Sequence, residues 1–155
     1  MLHVIAYDIG TTGVKTGLIS VGETVELVAD AYQGYDLYIL ENGGAEQDAD
    51  QWWSAMCETT RSLMKKSPVP PEKIDGISFC SQMQGLVLVD KEGNALRRPM
   101  SYMDQRARTE MKDCQGHGIQ IAGVNVRMLM KSLRATHAAS TSVKDPLWKY
   151  KWVQQ

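Results

Sequence analysis

The residues best suited to chemistry lie near the N-terminus, where a carboxylate precedes a turn of glycine and threonine and a lysine follows it. Asp8 ends the apolar run Val4–Tyr7, and the turn Gly10-Thr11-Thr12-Gly13 comes next. Backbone N–H groups and hydroxyls of such a turn can converge on an anion, and a carboxylate is a hard oxygen ligand of the kind that Mg²⁺ prefers. Lys15 adds a mobile positive charge. These parts predict a phosphate site with Asp8 on its metal side.

The same stretch is also compatible with an ordinary tight turn, because Gly and Thr are common hairpin residues. It is neither a Walker A loop nor a G-x-G-x-x-G loop. Gly10 and Gly13 can take positive φ angles and let another group approach the backbone closely. This stretch alone indicates a nucleotide phosphotransferase or an ATPase, with the simple turn as the alternative.

A second set of polar residues lies between two apolar runs. Ile74–Phe79 is nearly all apolar and predicts a central, buried strand, and Leu86–Val89 predicts the next strand. The loop between them contains Gln82, Met83, Gln84 and Gly85. Because polar groups are costly in a core and useful at the rim of a site, this loop is interpreted as a ligand-binding segment.

Asp104 and Arg106 begin a predicted helix that reaches about Cys114. Asp104 is a candidate for the helix N-cap, which is its purely structural interpretation. Arg106 would then lie in the first turn of the helix, where the helix dipole does not favour a positive charge.

The other predicted elements form a sheet with helices beside it. Three antiparallel strands open the chain as a meander, and an irregular segment, Tyr32–Glu46, follows them. The predicted helices run from Asp48 or Asp50 to about Lys66, from Val126 to about Ala135, and from Asp145-Pro146 onward, the last still continuing at Gln155.

The composition bounds the classes of partner. The chain has 155 residues, of which 43% are hydrophobic and 23% charged, with a net charge of −1. The length indicates one domain. The net charge near zero excludes a strong electrostatic footprint for nucleic acid or an anionic membrane. No segment approaches a membrane span or a secretory signal, so the cytoplasm is expected. No metal or redox role is assigned to the scattered thiols and imidazoles, which are Cys57, Cys80, Cys114, His3, His117 and His137.

Three spaced segments together resemble the N-terminal region of the FGGY carbohydrate kinases. They are Tyr7–Lys15, Ala45–Trp53, and the run from Ser81 to Asp90 taken with Met103–Ala107. The resemblance covers essentially the whole chain. It implies an α/β, ribonuclease H-like fold of the actin-like ATPase and sugar kinase superfamily, with a mixed sheet, an antiparallel N-terminal meander and flanking helices.

The resemblance also implies a function and roles for residues. The reaction would be ATP-dependent transfer of the γ-phosphoryl group to a hydroxyl of a sugar or polyol, with Mg²⁺. Asp8 would serve the Mg²⁺ and phosphate side, and Gly10, Thr11, Thr12 and Lys15 would contact the phosphates. The sugar would be bound by the residues that match two substrate motifs of the family, which are Gln82, Met83, Gln84, Gly85, Asp104 and Arg106.

Two positions depart from the family pattern, since Gln84 stands where xylulokinase-like members often have His, and Tyr102 where many have Trp. The identity of the sugar therefore stays open among xylulose, gluconate, glycerol and other polyols. The family's chains are much longer, and their catalytic Asp and their second, nucleotide-holding domain lie in later segments. Residues 1–155 are therefore expected to be part of an N-terminal domain that is inactive or nearly so by itself and that associates with itself, for example as a homodimer.

Two other classes stay open at this point. One is a non-enzymatic module that keeps the fold for sugar binding or association. The other is an actin-like or chaperone ATPase, which shares the first turn but has no need of Gln82–Gly85 or of Asp104 and Arg106.

Overall fold

The protein divides into two compact units, each described here by itself. The computed structural model describes residues 1–116, 118–121, 124–136, 139 and 141–155. The N-terminal unit consists of Met1–Leu37 and Asp48–Met83, and the C-terminal unit of Tyr38–Gln47 and Gln84–Gln155.

The N-terminal unit is built on a mixed four-stranded sheet. Its strands are β1 (Leu2–Ile9), β2 (Gly13–Val21), β3 (Val25–Gly34) and β6 (Gly76–Ser81), in the order β3-β2-β1-β6. The first three are antiparallel neighbours, as the sequence predicts, and β6 runs parallel to β1. The register places Asp8 at the end of β1 directly opposite Lys15 on β2.

One long helix, α1 (Ala49–Lys66), covers part of this sheet. It begins where the sequence predicts, because the Asp48 side chain accepts a hydrogen bond from the Asp50 N–H at 2.9 Å. Leu63 on its inner face is fully buried together with Val14 and Leu18 of β2. This apolar contact provides the main core of the unit.

The prediction of a central, buried fourth strand is wrong. Among the residues described, β6 forms an edge of the sheet, and Ile77 and Phe79 are 59% and 62% exposed. The helix α1 packs mainly on β2 and β3, and every residue of β6 after Gly76 is exposed. An apolar run shows only that a strand tolerates burial on both faces, and the described elements supply no cover for it. Phe79 instead stacks on Tyr7, with the ring centroids 5.5 Å apart.

The C-terminal unit begins with short extended pieces. The strands β4 (Tyr38–Ile39) and β5 (Ala45–Glu46) pair within the segment that the sequence predicts to be irregular. The predicted strand at Leu86–Val89 is only an irregular hairpin, held by isolated bridges from Leu86 to Met100 and from Val89 to Ala95. Pro99 contributes no N–H group to that ladder, which limits its regularity.

Three helices and one small strand pair complete this unit among the described residues. They are α2 (Arg108–Gln115), β7 (Gln120–Ile121), β8 (Val124–Asn125), α3 (Val126–Thr136) and α4 (Pro146–Val153). The α4 helix begins at Pro146, as the Asp145-Pro146 pair predicts, and runs to Val153, two residues before Gln155. Across the part of the chain that the structure describes, no helix is both long and apolar enough to cross a membrane.

Candidate functional site

The phosphate-site prediction rests on the end of β1, the turn after it and the start of β2. Lys15 Nζ lies 4.0 Å from Asp8 Oδ2, and the two side chains are 75% and 55% exposed. An ion pair that is this exposed to solvent contributes little to the stability of the fold. Both charges are therefore accessible to a ligand at the tip of the hairpin.

The turn after β1 needs glycine because of the space available, and not because of an unusual φ angle. Gly10 and Gly13 do not have positive φ angles, so the turn does not use that conformational freedom. A Cβ atom on Gly13 would lie 2.5 Å from the Tyr32 hydroxyl and 2.6 Å from the Gln33 carbonyl oxygen, closer than real contacts allow. Glycine is required here for space. The Gly10 N–H already donates to the Gly13 carbonyl at 3.0 Å, so it is occupied within the turn.

Two tyrosines that sequence reasoning did not assign to the site hold this turn. The Tyr35 hydroxyl donates to the Gly10 carbonyl, and the Tyr32 hydroxyl donates to the Thr12 carbonyl at 3.1 Å. The Tyr35 N–H also donates to the Thr12 carbonyl at 3.1 Å. Burial, aided by the nearby Tyr32 and Asp8, raises the pKa of Tyr35 to about 12, so its hydroxyl stays protonated as a donor. The carbonyl groups are thereby turned toward the tyrosines.

We expect Gly13→Ala to lower the free energy of unfolding by about 1–3 kcal/mol, because the added methyl group overpacks against Tyr32 and the backbone of Gln33. Gly34→Ala is the matched control, since Gly34 lies directly opposite Gly13 and a Cβ there meets its nearest atom at an ordinary 3.5 Å. Urea unfolding of both variants measures the difference. Equal losses in the two variants would contradict the crowding at Gly13.

The predicted ligand loop is divided between the two units. In the N-terminal unit, the Gln82 N–H donates to the Ile9 carbonyl at 3.0 Å, which puts its backbone beside the end of β1. Met83 follows and is 79% exposed. Gln84 and Gly85 belong to the C-terminal unit.

Gln84 is the only described residue other than glycine with a positive φ angle, at 62°. Its carbonyl accepts from Lys149 Nζ at 2.6 Å, and its side-chain Nε2 donates to Asp145 Oδ1 at 3.3 Å. A Cβ on the next residue, Gly85, would lie 3.3 Å from the Met100 carbonyl oxygen. The loop is therefore closely packed against its own unit at this point.

Lys149 is a buried cation that sequence reasoning missed. It is fully buried on α4 and donates a second hydrogen bond to the Lys144 carbonyl at 2.7 Å. Burial lowers the pKa of Lys149 to about 8 against the opposing effects of Asp104 and Asp145, while Lys144 adds to the lowering. The sequence offered no pattern for it, because a lysine in a short helix ordinarily faces solvent.

The lowered pKa of Lys149 predicts a pH dependence of stability. Between about pH 8 and 10.5 the unfolded chain keeps the proton on this lysine while the folded chain has lost it. The folded state is therefore stabilised as the pH rises through this range. From pH 8 to 10.5, the free energy of unfolding of the unsubstituted chain should rise relative to that of Lys149→Met, and urea unfolding of both proteins measures this change. Parallel pH profiles would contradict it.

Asp104 and Arg106 form the centre of a buried ion cluster. Asp104 is fully buried, and Arg106 Nη2 lies 2.6 Å from its Oδ2 and 2.7 Å from Glu46 Oε1. Arg97 reaches the same Glu46 oxygen at 2.6 Å. The guanidinium of Arg106 also lies over the Trp152 ring at 4.4 Å from its centroid.

The backbone around this cluster corrects the sequence interpretation. The N-cap of α2 is Ala107, so Asp104 does not cap the helix and Arg106 lies before it. Asp104 accepts from the N–H groups of Ala45 at 3.0 Å and of Arg106 at 3.1 Å, joining two distant segments of the unit. These contacts suit a positioning role, and direct contact of either side chain with a sugar stays a prediction.

Asp8 is the carboxylate that the predicted phosphate turn offers to a metal ion. Among the described residues, no group of three or more His, Cys, Asp and Glu side chains is placed to hold a metal ion. His117 and His137 lie outside the described residues, and the three cysteines are unbridged. A single exposed carboxylate such as Asp8 suits Mg²⁺, because this ion keeps several waters and is usually held by one or two carboxylates together with substrate phosphates.

Comparison with known proteins gives one family. Residues 3–154 match the model of the N-terminal domain of the FGGY family of carbohydrate kinases. The xylulose kinase of Bacillus subtilis (strain 168) is 36% identical over 106 residues, which are 68% of this chain and 21% of that protein. The chain thus spans about a fifth of the length of this curated relative.

Solved structures agree with this match. A ligand-bound xylulose kinase from Lactobacillus acidophilus has a TM-score of 0.81 at 24% identity, covering all of this chain and 29% of that one. A gluconate kinase from Lactobacillus acidophilus has a TM-score of 0.81 at 25% identity, covering 99% of this chain and 28% of that one. These likenesses confirm the predicted fold class.

Proposed function

Because the chain belongs to the FGGY family of carbohydrate kinases, as their N-terminal domain, we propose that it is part of an enzyme that transfers the γ-phosphoryl group of ATP to a hydroxyl of a sugar or polyol. Residues 1–155 would supply part of the N-terminal domain, with the general base and the nucleotide-holding domain supplied by other segments of the whole protein. We assign that whole protein to the cytoplasm, where ATP is available.

The observation that carries this proposal is the pairing of Asp8 with Lys15 across the turn Gly10–Gly13. The two side chains face each other in the strand register, and both are open to solvent. Phosphoryl transfer needs positioning and charge neutralisation more than covalent participation by the protein. Asp8 would hold Mg²⁺ through one oxygen or through a bound water, and Lys15 would offset phosphate charge.

Each remaining part of the turn would have a distinct task. Thr11 and Thr12 offer hydroxyl groups to the phosphates. Tyr32 and Tyr35 hold the carbonyl groups of Thr12 and Gly10 by hydrogen bonds, and would thereby keep these carbonyl groups away from the anion. Bound Mg²⁺ would supply charge stabilisation of the transferred group.

The sugar side would use the loop Gln82–Gly85. The Gln84 side chain can accept a hydrogen bond from a sugar hydroxyl or donate one to it. Arg106 and Asp104 would hold the backbone beside β5 in place, through the contact of Asp104 with Ala45.

The full-length protein, assayed for ADP formation with ATP, Mg²⁺ and a panel of ketoses, polyols and aldonates, tests the proposal. We expect ADP release that depends on one class of sugar. Binding of a sugar without any ADP release would favour the non-enzymatic module. ADP release independent of every sugar would favour an ATPase.

A further inference from the structure

The backbone of Gln84 is held in an uncommon conformation. Its φ angle of 62° lies in the left-handed region, which is uncommon for residues other than glycine. Such a conformation persists only when surrounding contacts determine it, and it is found often at ligand-binding segments. The contacts that determine it here come from α4 and from the residue before α4.

The first contact fixes the main chain. Lys149 Nζ donates to the Gln84 carbonyl at 2.6 Å and to the Lys144 carbonyl at 2.7 Å. Because Lys149 is fully buried, water does not compete for these bonds. The lysine therefore ties the ligand loop to the segment that precedes α4.

The second contact fixes the side-chain amide. Gln84 Nε2 donates to Asp145 Oδ1 at 3.3 Å, and Asp145 Oδ2 accepts from the Ser142 N–H at 2.9 Å. An ionised carboxylate only accepts hydrogen bonds, so the amide nitrogen, and not the oxygen, must face it. Gln84 Oε1 is then directed away from Asp145, on a residue that is exposed.

We propose that Asp145 and Lys149 are positioning residues that present Gln84 Oε1 as a hydrogen-bond acceptor, so that this loop favours a hydroxyl of a neutral sugar and disfavours the carboxylate of a sugar acid. The selection has a simple chemical cause. A hydroxyl donates to an amide oxygen, whereas a carboxylate has no hydrogen to donate and is repelled by it. This inference rests on the proposed kinase function and narrows its substrate class.

The test compares kcat/KM of the full-length protein for xylulose, a neutral ketose, and for gluconate, a sugar acid. The unsubstituted protein should prefer xylulose. Asp145→Asn should reduce that preference by about tenfold, because an Asn side chain offers a donor as well as an acceptor and lets the Gln84 amide turn over. Lys149→Met should raise KM for the sugar by about tenfold and leave KM for ATP unchanged.

Lys151→Met is the matched control, since Lys151 lies on the same helix and donates instead to Cys114 Sγ at 2.9 Å. It should leave the preference and both KM values unchanged. The nearly isosteric Asp145→Asn keeps the test decisive if Lys149→Met fails to fold. A preference for gluconate, or a ratio that Asp145→Asn does not move, overturns this inference alone. Absence of turnover with every sugar overturns the proposed function and this inference with it.

Discussion

Arg106→Met should lower the free energy of unfolding by about 3–5 kcal/mol, which is the expected cost of removing one partner from a buried ion pair. Arg106 has a side chain that is 6% exposed and lies 2.6 Å from the fully buried Asp104 carboxylate. Its loss leaves that charge desolvated and without its guanidinium partner, while the N–H groups of Ala45 and residue 106 still donate to it. Urea unfolding measures the effect.

Arg108→Met is the control for this prediction. Arg108 lies two positions away in the sequence and is exposed. Its side chain contacts Gln105, whereas the described ion pairs to Asp104 and Glu46 come from Arg106 and Arg97. Its replacement should change the free energy of unfolding by no more than about 0.5 kcal/mol. If the two variants prove equally stable, Arg106 does not organise the buried cluster in the way described.

Asp8→Asn should reduce kcat of the full-length protein by about 10²–10³-fold, because an amide replaces the carboxylate proposed to hold Mg²⁺ beside the transferred phosphoryl group. KM for the sugar should change little, since Asp8 is assigned to the phosphate side. Stability should also be nearly unchanged, because the Asp8 side chain is 55% exposed and its contact with Lys15 is long, at 4.0 Å.

Asp30→Asn controls for removal of a carboxylate from the same sheet, since Asp30 is an exposed residue of β3 that pairs with Gly17. It should leave kcat within about twofold of the unsubstituted value. Steady-state kinetics at saturating Mg²⁺ distinguish the two variants. Equal activity of Asp8→Asn and the unsubstituted protein would remove Asp8 from the phosphate site.

Local sequence patterns were enough to predict the N-terminal meander, the start and end of α1 and the turn after Asp8. Each depends on neighbours in the chain, such as the cap that Asp48 provides for α1. The apolar run of β6 was misread, because composition reports what a strand tolerates and not which elements cover it.

The contacts that organise the C-terminal unit were beyond prediction from local patterns. Lys149 and Gln84 are 65 residues apart in sequence, and Arg106 and Glu46 are 60 apart. Nothing in the spacing of a lone lysine or arginine identifies a partner at such a distance. The same holds for Tyr35, whose bond to the Gly10 carbonyl follows from the path of the chain after β3 and not from any motif.

The most direct test of the kinase assignment follows the fate of the γ-phosphoryl group. The full-length protein is incubated with Mg²⁺ and ATP labelled at the γ-phosphate, with and without each sugar, and the products are separated. We predict that the label appears on a sugar phosphate and that Asp8→Asn slows its appearance. Label found only in inorganic phosphate, at a rate that no sugar changes, would contradict it.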